Sequence, residues 1–154
     1  MKRFLRRSAM VLACALLAGS TRVVAANYQL EGVGVPVALC NGIGSDFTIR
    51  MDGSLVGCWY TSIADAKLSP SGAYHESGSE TFVGCLWVDG QNQGCGTFDT
   101  SYDFHAKFTP AFQEINGRCQ HIIVSGTGVF ADGRVDFKDD VVNGVFYYHG
   151  HIAS

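Results

Sequence analysis

Apolar and polar residues alternate at every second position along much of this chain, the period of a β-strand with one dry and one wet face. The alternation is clearest from Cys95 to Phe108. Phe98, Thr100, Tyr102, Phe104, Ala106 and Phe108 share one face, and Thr97, Asp99, Ser101, Asp103, His105 and Lys107 share the other. The closing stretch, Cys119 to Ile152, reads as three strands separated by Asp132-Gly133 and Asn143-Gly144. Asx-Gly between β-rich runs is a strong hairpin signal, because both turn residues must take positive φ. Counting outward from Asn143-Gly144 sets Val142 against Val145, Asp140 against Tyr147, Lys138 against His149 and Asp136 against His151. One face then carries Val135, Phe137, Val141, Phe146, Tyr148 and Ile152, with Asp139 its only charge. A slip of one residue would push that apolar set into water, so the pattern supports the register.

The same reading gives strands over 28–35, 46–51, 54–61, 80–88, 95–108 and 112–124, with a hairpin signal at Asp52-Gly53. The DGQNQG segment after Val88 reads as the connection into the 95–108 strand. Residues 62–71, SIADAKLSPS, read as a loop: the alternation stops and Pro70 would end any helix. About eight consecutive antiparallel strands result, with no repeat, linker or low-complexity tract. They predict an all-β fold, an eight-stranded antiparallel up-and-down barrel, with a two-sheet β-sandwich as the alternative. A barrel leaves no exposed edges, and eight strands enclose room for side chains or one small ligand.

Composition adds a compartment. Residues 1–26 carry a basic segment (Lys2, Arg3, Arg6, Arg7), an apolar run of about a dozen residues and the small residues Ala25-Ala26, the layout of a secretory signal. A lipoprotein reading at Cys14 and a twin-Arg reading at Arg6-Arg7 fit less well. Cleavage after Ala26 leaves a single domain, 27–154, of 128 residues, long enough to bury a core. Removing the five basic residues of 1–26 leaves six Lys and Arg against 14 Asp and Glu, a balance of −8. Such a surface argues against nucleic acid or anionic lipid as partner, and no later apolar run is long enough for a membrane anchor. The expected location is secreted or periplasmic.

Five cysteines remain in 27–154: Cys40, Cys58, Cys85, Cys95 and Cys119. None forms a C-x-x-C pair, so bridging is expected rather than zinc or redox chemistry. Cys58 and Cys85 are each preceded by Gly in neighbouring strands and are the expected partners. The odd count leaves one cysteine over.

The segment Gly126-Thr127-Gly128-Val129-Phe130-Ala131, followed by Gly133 and the strand from Arg134, resembles the GTG-x-F-x-x-A-x-G signature of dirigent proteins and allene oxide cyclases. Only two residues separate Phe130 from Gly133, where those families have a longer loop. The resemblance implies an eight-stranded antiparallel barrel. The string from Gly117-Arg118-Cys119-Gln120-His121 to Gly150-His151-Ile152 is similar to exported bacterial proteins of unassigned function.

Several constellations can be weighed. His149-Gly150-His151 would point two imidazoles the same way with Asp136 across from them, but Lys138 stands opposite His149 and would repel a cation. His75-Glu76 begins an H-E-x-x-H motif that ends in Ser79. Gly126-Thr127-Gly128 has neither the lysine nor the helix of a phosphate loop. A cysteine paired with His121 as thiolate is less expected than structural bridging. Asp139 and Glu80 stand out, since carboxyl groups on apolar faces are costly unless hydrogen-bonded and are candidate acids, bases or ligand anchors. For Asp139 the plainer role is capping the nearby turn.

The leading expectation is a non-catalytic module binding a small apolar ligand, or serving a structural role, with Phe98, Tyr102, Phe104, Phe137, Asp139 and Tyr148 as the ligand-binding set. No metal or other cofactor is expected. A second is a cyclase- or isomerase-type enzyme confining a lipid-like substrate, with an inner carboxylate and Tyr as acid and base. A third is an extracellular interaction module using the acidic outer face. A solvent-connected cavity holding a buried carboxylate would favour the second.

Overall fold

The computed structural model describes the backbone at residues 27–37, 40, 44–131, 134–142 and 144–153, and the side chains of these apart from 134–137, 139 and 153. Residues 1–26, expected to be a signal segment, and the expected turn at Asp132-Gly133 lie outside the described residues. Eight strands run in chain order: β1 (Asn27–Pro36), β2 (Phe47–Gly53), β3 (Leu55–Leu68), β4 (Ala73–Val88), β5 (Gln91–Phe108), β6 (Glu114–Gly126), β7 (Arg134–Val142) and β8 (Val145–Ala153). Each pairs antiparallel with the next, and β8 pairs back onto β1 to close the barrel. Closure settles the architecture as a barrel rather than a sandwich.

The β7–β8 register matches the sequence count, with Asp136 opposite His151, Lys138 opposite His149, Asp140 opposite Tyr147 and Val142 opposite Val145. Gly144 has φ +74°, the conformation the turn demands. Val141, Tyr148 and Ile152 are buried while Tyr147, His149 and His151 are exposed. In β5, Phe98, Thr100, Tyr102 and Ala106 are buried and Asp99, Ser101, Asp103 and His105 are exposed, again as the alternation requires.

Two segments depart from expectation. Residues 62–68 are strand, not loop: β3 runs on to Leu68, paired with β4 from Ser62 opposite Ser79 to Leu68 opposite Tyr74, across a bulge between Ile63 and Asp65. The β2–β3 pairing stops at Phe47 opposite Thr61, so this half of β3 projects past its other neighbour. All of 62–68 is exposed, and a strand with no dry face shows no alternation. DGQNQG is likewise not a long connection. Asp89 (φ +50°) and Gly90 (φ +74°) form a tight turn, and β5 begins at Gln91.

The disulfides are Cys40–Cys58 and Cys85–Cys95, so the expected Cys58–Cys85 pairing is corrected. Register decides it: Cys58 lies opposite Val83 and Cys85 opposite Val56 on the shared β3–β4 ladder, whereas Cys85 stands directly opposite Cys95. Cys119 carries no disulfide and is buried. Two disulfides fit an oxidising, extracellular or periplasmic environment.

The interior is filled unevenly. At one end Trp59, Phe82, Phe98 and Phe130 pack ring against ring at centroid distances of 4.9–5.8 Å, with Leu30, Leu55, Leu86 and Ile152 completing the cluster. Phe130 arrives from a 3-10 turn, Gly128–Phe130, between β6 and β7. At the other end the barrel is not filled.

Candidate active site in the barrel interior

Inward positions on β4 read Tyr74, Glu76, Gly78, Glu80 and Phe82, so the strand that supplies the aromatic core at one end supplies two carboxylates at the other. Glu76 and Glu80 are both buried. β5 contributes Tyr102, Phe104 and Phe108, and β6 contributes Cys119 and His121. Together with Tyr74, Glu76 and Glu80 of β4, and with Phe47, Ile49, Met51, Trp59, Phe146 and Tyr148, they line a cavity of about 260 Å³ that opens to solvent. Its walls are mostly aromatic, and its charged groups come from β4 and β6.

Two hydrogen-bonded clusters sit in that wall. In the first, Glu80 pairs through Oε2 with Nδ1 of His121 at 2.7 Å. Thr100 donates to the same oxygen at 2.8 Å and Thr61 to Oε1 at 3.3 Å. The Glu80 and His121 side chains are each only 5% exposed. Trp59 meets the His121 ring edge-on, centroids 5.3 Å apart, and helps fix the imidazole plane. In the second cluster, Tyr102 donates to Glu76 Oε1 at 2.7 Å and Tyr74 donates to Glu76 Oε2. Gly78 makes this reach available: it lies opposite Tyr102, and a Cβ there would stand 2.9 Å from the tyrosine ring and 2.1 Å from the Ser62 carbonyl oxygen.

Electrostatics follow from burial. Tyr102 loses its proton only well above the ordinary range, first because its hydroxyl is desolvated and then because it donates to Glu76, whose negative charge opposes a phenolate. Tyr74 is pushed up to about 12 for the same reasons in the same order. Both phenols are therefore donors at neutral pH. Glu80 orients the His121 imidazole from one side, which is how a carboxylate prepares a histidine to take or give a proton.

Of the residues expected to bind a ligand, Tyr102, Phe104 and Tyr148 line the cavity. Phe98 does not; it is fully buried in the packed end, against Phe82 and Phe130. Phe137 lies opposite Gly150, and Asp139 opposite Tyr148 and Cys119, but their side chains fall outside the described residues. Sequence reading placed Glu80 correctly as an inward carboxylate. It saw Glu76 only in a broken metalloprotease motif and His121 only as a partner for a thiolate. The missing signal was the two-residue period itself: carried upstream from Glu80, it puts Glu76 and Tyr74 on the same face.

No family model matches this chain. No curated protein and no solved structure shows significant similarity to it either.

Proposed function

We propose that the barrel takes up a small, mostly apolar molecule and performs acid–base chemistry on it, in the manner of an isomerase or cyclase. His121 held by Glu80 is the proton-transferring group, and the tyrosines on Glu76 are hydrogen-bond donors that orient a polar atom of the ligand. The observation that carries this is the buried Glu80–His121 pair in the wall of an aromatic, solvent-connected cavity. Ionisable groups in a dry interior cost several kcal/mol to desolvate, roughly as much as their pairing returns, so apolar side chains would serve a merely structural interior at least as well. The likeness of the Gly126–Ala131 segment to dirigent proteins and allene oxide cyclases implies the barrel and carries no activity across, so the reading rests on the interior residues.

One observation favours the non-catalytic alternative. Both oxygens of Glu80 and both of Glu76 already accept hydrogen bonds from protein donors, so the network is satisfied without a substrate and could shape a binding pocket alone. Native mass spectrometry of protein purified from its source should show a retained small molecule. Incubating that molecule with the protein in deuterated water separates the readings. Acid–base chemistry predicts deuterium incorporation by the wild type and its loss in Glu80→Gln and His121→Gln. Retention without incorporation leaves a carrier. If no molecule is retained and small apolar probes leave Trp59 fluorescence unchanged, the cavity reading fails altogether.

A further inference from the structure

The outer wall of the same hairpin carries a second cluster. His75 on β4 stands directly opposite His105 on β5, and Asp103 lies two residues before His105, hence on the same outward face. The His75 Nε2 atom is 3.2 Å from Asp103 Oδ1 and 3.3 Å from Oδ2. His105 Nε2 is 2.5 Å from Asp103 Oδ1. The two rings lie 4.6 Å apart, and one donor atom from each of the three residues falls within 4.8 Å of the others. Among the described residues it is the one group of three such donors brought together.

We propose that His75, Asp103 and His105 bind a divalent cation of the zinc and nickel class, clipping β4 to β5 on the outside of the barrel. Two imidazoles and one carboxylate suit these borderline metals, whereas calcium and magnesium prefer all-oxygen shells. Zinc holds nitrogen and oxygen ligands at about 2.0–2.1 Å, which sets donors in a tetrahedral shell about 3.3 Å apart. The His75–Asp103 distance already has that value. The His105–Asp103 distance would open by less than about 1 Å, a small change for exposed side chains. The fourth position faces solvent.

The neighbouring charges are Lys67 opposite His75 on β3 and Arg118 opposite His105 on β6. Lys67 is held by Asp65, Nζ to Oδ2 2.7 Å, which offsets its charge. Arg118 in turn lies opposite Asp140 on β7. His149 and His151, two residues apart on β8, lie opposite Lys138 and Asp136 on β7 and opposite Glu31 and Gln29 on β1, and serve as the control pair.

The test uses chelator-washed full chain titrated with zinc ion by calorimetry, with cobalt ion as a spectroscopic substitute, on wild type, His75→Gln, Asp103→Asn and a His149→Gln/His151→Gln control. One equivalent should bind the wild type and the control alike and raise Tm. His75→Gln and Asp103→Asn should weaken binding by at least about 10-fold and abolish the visible absorption of tetrahedral cobalt. The variants are at the surface, and their circular dichroism checks folding. The proposal is overturned if the wild type shows no saturable binding, if His75→Gln binds as well as wild type, or if binding is lost in the control instead.

Discussion

The two ends of the barrel interior are built by the same strands under the same alternation, yet they do opposite things. At the Phe82 end, β3, β4 and β5 send in Trp59, Phe82 and Phe98, and the 3-10 turn adds Phe130 to close the gap. At the Glu80 end, β4 sends in two carboxylates and β6 a histidine. Their fixed hydrogen bonds hold the wall open around a cavity instead of letting it collapse. Packing fills volume and tolerates little change. A polar network is directional and keeps its shape only while every member is satisfied. The cavity end is the place where β4 points Glu76 and Glu80 inward, whereas at the packed end the same strand points in Phe82.

Truncating each end in turn should break the symmetry most visibly. Phe98→Ala removes a fully buried ring touching Trp59, Phe82 and Phe130, and should cost about 3–5 kcal/mol, near the total margin of many domains. Phe104→Ala removes a half-buried ring that already faces empty space, and should cost roughly 1–2 kcal/mol. Urea unfolding of the two variants measures the difference. Equal losses would mean that the cavity end is as tightly packed as the other.

How much of this could be read from residues alone divides along the same line. The closing hairpin was legible because Asn143-Gly144 fixes a turn and every residue out to Ile152 then has one possible face. The β5 alternation was legible because both of its faces are uniform. The outer half of β3 was not, because a strand exposed on both sides carries no periodic signal, and losing it concealed the β4 residues Tyr74 and Glu76 that pair beside it. Phe98 was assigned to the ligand because inward aromatics look alike in sequence. Whether such a ring packs or lines a void depends on Phe130, which arrives from outside any strand pattern. Disulfide pairing was hidden for a related reason: it needs the register of three strands at once.

Tyr148 sits where the two ends meet, in the core cluster and in the cavity wall together. Its hydroxyl accepts from the Leu55 amide at 2.8 Å and donates to the Asp52 carbonyl at 3.1 Å. Tyr148→Phe leaves a buried amide without that acceptor and should cost about 1–3 kcal/mol. Burial is the main reason its proton is held up to about 12, with an opposing contribution from the Leu55 backbone hydrogen bond. A raised folded value favours the protonated fold. The stabilisation is thus fully present below the unfolded value of about 10 and is lost as pH climbs through 12. Alkaline unfolding of Tyr148→Phe should be flatter than wild type across that window. Matching pH profiles would remove Tyr148 as the joint between the two ends.

The smallest effect is expected where the same chemistry faces water. Asp99, outward on β5, accepts from Thr81 on β4 at 2.7 Å and from Ser125 on β6 at 2.6 Å, much as Glu80 gathers Thr61, Thr100 and His121 inside. Those two hydroxyls hold the Asp99 carboxyl below its ordinary range, with slight burial opposing them. A depressed folded value means stabilisation that is present above the ordinary value of 3.8 and lost as pH falls through the lower folded one. Water competes for every one of these hydrogen bonds, so Asp99→Asn should cost only about 0.5 kcal/mol at neutral pH and slightly flatten the acid limb of unfolding. Glu80→Ala removes the acceptor that Thr61 and Thr100 share and breaks the buried pair with His121, and should cost about 3–5 kcal/mol. The ratio of the two losses, read from urea unfolding at neutral pH, measures how dry the cavity wall is. Comparable losses would mean that water reaches Glu80 freely, and the interior would then have no special power over the protons it holds.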